Sequence, residues 1–65
     1  MSPAGPSRPD GGIIVEFVRN GQWLKCSAVC ERTGLEASVA GPASDPSGVQ
    51  RLAVAKLKRL LASAG

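Results

Sequence analysis

From Ile13 onward the chain alternates in a two-residue rhythm. Ile13, Val15 and Phe17 take one parity, while Ile14, Glu16 and Val18 take the other. The run is rich in β-branched and aromatic residues, which predicts a strand over 13–19. Leu24, Cys26, Ala28 and Cys30 repeat the alternation within 22–31, and Leu35, Ala37 and Val39 repeat it within 35–40. The period then changes. Val49, Ala53, Leu57, Leu60, Leu61 and Ala64 recur at helical spacing, with Leu52 and Val54 at the margins, and predict an amphipathic helix over 46–63.

The segments between these runs suggest how they connect. Asn20-Gly21 is the commonest dipeptide of a two-residue hairpin turn with positive φ at both positions. A turn placed there opposes Phe17 to Leu24, Val15 to Cys26 and Ile13 to Ala28 on one face. The other face then pairs Glu16 with Lys25 and Val18 with Trp23. Glu31-Arg32-Thr33-Gly34 reads as a four-residue loop with Gly34 in the left-handed region. It opposes Cys30 to Leu35, Ala28 to Ala37 and Cys26 to Val39; a three-residue loop would instead turn Glu36 and Ser38 inward. Asp45-Pro46 suits a helix N-cap followed by proline at the first helical position, with Ser47 and Gln50 as a competing capping box.

The expected fold class is α+β. A three-stranded antiparallel β-meander in the order 1-2-3 packs its apolar face against one C-terminal amphipathic helix, in two layers. Residues 1–12, MSPAGPSRPDGG, contain almost nothing apolar and read as a disordered N-terminal tail ahead of a single domain over 13–65.

Composition then narrows the chemistry. Sixty-five residues suffice for one small domain, and the chain has no histidine and no tyrosine. Imidazole-based catalysis and imidazole-containing metal sites are thereby excluded. No apolar run approaches the length of a membrane span, and residues 1–12 lack the core of a signal peptide. Two cysteines are too few for a disulfide-stapled secreted domain, so the expected location is the cytoplasm. Frequent Ala, Gly, Arg and Pro suit a GC-rich bacterial genome.

Candidate sites are few. Glu16, Lys25 and Glu36 fall on the outer face, where a solvated cross-strand charge pair accounts for them better than acid–base catalysis does. No glycine-rich phosphate loop precedes a helix. Cys26 and Cys30, about 13 Å apart along one strand, are too distant for a disulfide and lack further zinc ligands, so they read as small buried side chains. The expectation is therefore a protein that is not an enzyme and uses no cofactor or metal. Arg51, Lys56, Lys58 and Arg59 make the helix basic. Arg51, Lys58 and Arg59 are the candidate basic face, either solvated or set against phosphates. Ile14, Val18, Trp23 and Val29 fall together on the outer sheet face and form a candidate interaction patch.

The order strand, Asn20-Gly21, strand, Thr33-Gly34, strand, helix resembles the βββα modules of the plant GCC-box-binding domain and of the arm-binding domain of tyrosine integrases. Those modules lay the sheet in the DNA major groove. Here the outer face carries one lysine, Lys25, against two glutamates, Glu16 and Glu36, and lacks their arginine-rich strands. The chain resembles more nearly the small bacterial proteins whose families carry no assigned function. The leading expectation is a small binding or protein-interaction module that works through its outer sheet face or an edge strand. Its partner would be another protein or a second copy in a homodimer. Nucleic-acid binding by the basic helix face is the second reading, and a membrane partner is not expected.

Overall fold

A computed structural model describes residues 12–64. Strands β1 (Ile13–Asn20), β2 (Trp23–Cys30) and β3 (Glu36–Pro42) form one antiparallel sheet in the order β1-β2-β3, and helix α1 (Pro46–Ala64) follows. This is the α+β meander that the alternating and helical periods imply. Most of the tail assigned to residues 1–12 lies outside the described residues. Gly12 belongs to the fold: it is buried, and its carbonyl accepts the Glu31 amide at 3.0 Å.

The β2–β3 register is the expected one, with Cys26 opposite Val39 and Ala28 opposite Ala37. Gly34 supplies the positive φ, 78°, that the loop requires. The β1–β2 register differs from expectation by two residues. Phe17 opposes Cys26, Val15 opposes Ala28 and Ile13 opposes Cys30, while Glu16 meets Ser27 and Val18 meets Lys25. Asn20 pairs with Trp23, so the turn is Gly21-Gln22 rather than Asn20-Gly21. Gly21 has φ 63°, and no residue other than glycine has positive φ among those described. That fits a type II′ turn, which needs a left-handed residue at its first central position alone.

The N-terminus of α1 is capped by Asp45, whose carboxylate oxygen accepts the Gly48 amide at 3.2 Å. Its backbone carbonyl also starts the helical ladder by accepting the Val49 amide. Ser47 therefore lies inside the helix, and Pro46 takes the first helical position, where its missing N–H costs nothing. The helix buries Val49, Ala53 and Leu57 against Leu24, Cys26, Ala28, Cys30 and Ala37. Leu60, placed in the apolar stripe by its spacing, is 40% exposed, and Ala64 is exposed too.

Helix α1 packs over β3 and β2, with β1 left to one side. Two lengths explain this. A helix is about 10 Å across and strands repeat every 4.8 Å or so, hence one helix covers about two strands. The connector out of β3 spans only 43–45, so the helix must turn back over β3 and its neighbour. Phe17, expected in the core, is consequently 42% exposed on the helix side of β1.

Candidate functional site

The outer sheet face holds the four residues of the apolar patch, but the shifted register divides them. Ile14 and Val29 oppose each other and are half-buried at one end of the sheet. Val18 and Trp23 lie at the other end as diagonal neighbours, because Val18 opposes Lys25 and Trp23 sits between Asn20 and Pro42. Glu16 and the hydrogen-bonded hydroxyls of Ser27 and Ser38, 3.0 Å apart, intervene. Trp23 is 63% exposed, so this face offers two small apolar islands and a polar middle. On α1, Arg51 and Lys58 are exposed opposite the buried stripe, with Arg59 further round the helix, as the spacing implies.

The two edges of the sheet differ more than its faces. In an antiparallel ladder every second residue turns both backbone groups toward a given neighbour. The bond from the Glu31 amide to the Gly12 carbonyl fixes that phase for β1: even-numbered residues face β2. Ile13, Val15, Phe17 and Arg19 therefore turn N–H and C=O outward. For β3, the bonds from Ala43 to Gln22 and from Cys30 to Leu35 assign odd numbers to the interior and even numbers to the edge.

The β3 edge is partly closed by the fold itself, at Ser38 and Pro42. Lys56 on α1 donates from Nζ to the Ser38 carbonyl at 3.3 Å. Pro42 has no N–H to leave unpaired, and its carbonyl accepts the Asp45 amide at 3.1 Å. On β1 the side chain of Arg19 bonds within its own hairpin, Nε to the Gly21 carbonyl at 3.0 Å. Among the described residues, no helix or loop covers the outward groups of Val15 and Phe17. Since Lys56 reaches toward β3, the flank of α1 roughly 150° away, carrying Val54 and Leu61, faces β1. An open strand edge thus runs beside an apolar shelf of Val15, Phe17, Val54 and Leu61.

Sequence reasoning named the edge strand but placed Phe17 under the helix. The missing signal was geometric: one helix after a short connector cannot cover three strands.

Two other places could hold chemistry. Cys26 is fully buried, and that burial pushes its thiol pKa up. Cys30 is buried too, but the Thr33 hydroxyl, then the Thr33 amide, outweigh that burial and, with the Arg32 amide and charge, hold its pKa down. The Thr33 oxygen also accepts the Leu35 amide at 3.2 Å. The second place is an open cleft of about 270 Å³ at the β1–β2 hairpin, lined by Arg19, Gln22, Pro42, Ala43 and Ser44. It contributes one charged side chain, and the Gln22 carbonyl is already bonded to Ala43. No three metal-ligating side chains converge among the described residues. No helix among them is long and apolar enough to cross a membrane.

Comparison with known proteins adds one match. A family described as a domain of unknown function, DUF6898, covers residues 10–64. No curated protein and no solved structure matches the chain.

Proposed function

The chain belongs to the DUF6898 family, and we propose that it is a small, non-enzymatic protein-interaction module that receives an extended strand along the β1 edge. The observation that carries this reading is the contrast between the two edges. The β3 edge is partly obstructed, by Lys56 at the Ser38 carbonyl and by Pro42 with Asp45 at its end, while no described residue pairs the outward backbone groups of Val15 and Phe17. Natural sheets shield such edges, and an edge left open beside apolar side chains fits strand addition, in which main-chain bonds give affinity and side-chain pockets give selectivity. Two unpaired thiols suit a reducing compartment such as the cytoplasm of a bacterium.

The test is site-specific photocrosslinking in living cells. p-Benzoylphenylalanine replaces Phe17 in one strain, and replaces Ala62 on the exposed side of α1 in another. A discrete adduct at position 17 and none at position 62 is the expected result. Adduct formation at position 17 no greater than at position 62 would remove the edge from consideration.

A further inference from the structure

We infer, building on the edge reading above, that the partner strand is β1 of a second copy, paired antiparallel across a two-fold axis that passes between the two Phe17 residues. An isologous contact requires one surface to complement itself, and an open strand does so when paired antiparallel with its own image.

Side chains choose among the possible registers. An axis through Glu16 sets two carboxylates directly opposite each other, a destabilising pair. An axis through Val15 sets the partner's Phe17 against Ile13, whose surface the fold already covers to within 8%. An axis through Phe17 avoids both. It opposes the two rings, places Glu16 against the partner's Val18, and sets Val15 against the partner's Arg19. Arg19 is then a diagonal neighbour of the partner's Phe17, within reach of its ring for a cation–π contact.

The axis stands perpendicular to the sheet, so both helices lie on one side. Val54 and Leu61 of each copy then flank the Phe17 pair. Apolar surface that one short chain leaves open is buried by the other. Further growth is hindered, because each end of the resulting six-stranded sheet is a β3 edge with Lys56 on the Ser38 carbonyl and Pro42 near its end.

Sedimentation equilibrium supplies the first test. Wild-type protein at high micromolar concentration is expected at twice the chain mass of 6.6 kDa. Phe17→Asp is expected to halve that mass with an unchanged circular dichroism spectrum, since Phe17 is already 42% exposed within one copy. A monomeric wild type overturns the inference. Register is tested by oxidative crosslinking in a Cys26→Ala, Cys30→Ala background, because Cys26 opposes Phe17 within the chain. Opposed residues at the axis have Cα atoms about 5.5 Å apart, within disulfide range. Phe17→Cys should therefore form crosslinked dimers, and Val15→Cys and Glu16→Cys should not. Crosslinking through Glu16→Cys instead would move the axis and overturn the register. The photo-adduct separates the two ideas: a monomeric wild type whose position 17 captures a different protein keeps the edge reading and discards self-pairing.

Discussion

Cys26 and Cys30 share a strand and a face, yet their surroundings give them opposite chemistry. Parity alone identified both as inward-facing small side chains, and both are buried. Their difference was not legible, because it depends on where the Thr33 hydroxyl and the turn amides point. Hydrogen bonds to the sulfur favour the thiolate of Cys30, while burial disfavours that of Cys26. Cys30 should therefore ionise and react at lower pH. The sign for stability follows by linkage: the Cys30 hydrogen bonds strengthen the fold as pH rises through its lowered pKa, and burial of Cys26 weakens it above the ordinary thiol range. Peptide-resolved alkylation of the native protein from pH 7 to 9.5 should label Cys30 well ahead of Cys26. Thr33→Val should shift the onset of Cys30 labelling to higher pH. Equal rates at the two thiols, or Cys26 reacting first, would contradict the role given to the turn.

The elements were more legible than their alignment. Strands, helix and cap follow from periodicity and from Asp45-Pro46, whereas the β1–β2 register slipped by two residues. A two-residue shift preserves the inward and outward faces, so the hydrophobic pattern cannot distinguish the alternatives. Only the turn could, and Asn20-Gly21 is compatible with either placement, since Gly21 alone satisfies a type II′ turn. Contact between elements is easier to test. Gly41 lies where β3 meets α1, and a Cβ there would approach Val49 Cγ2 to 2.7 Å. Val49 is buried in the core and cannot move aside without shifting the helix. Gly41→Ala should thus destabilise the fold by about 1–3 kcal/mol, the usual cost of overpacking. In a domain of this size that lowers the thermal midpoint by about 4 °C or more. An unchanged midpoint would show that the helix can ride outward freely.

At the scale of the whole molecule, charge and shape point to different partners, and one measurement separates them. The net charge is +3, and Arg51 and Lys58 share the exposed side of α1. The outer sheet face, which βββα modules of the DNA-binding kind lay in the groove, presents Glu16 and Glu36 beside a single lysine. Binding through the helix would rest on phosphate contacts from Arg51, Lys58 and Arg59. Each such contact steepens the logarithmic salt dependence by about 0.9 for duplex DNA, so three give a slope near −2.7 or shallower. So few contacts confer weak, sequence-independent affinity that fades toward physiological ionic strength. Fluorescence anisotropy with a labelled duplex across a salt series should therefore show binding in dilute buffer and none near 0.15 M, with Arg51→Ala flattening the slope. Tight, sequence-selective binding at 0.15 M salt would shift the working surface from the β1 edge to the helix.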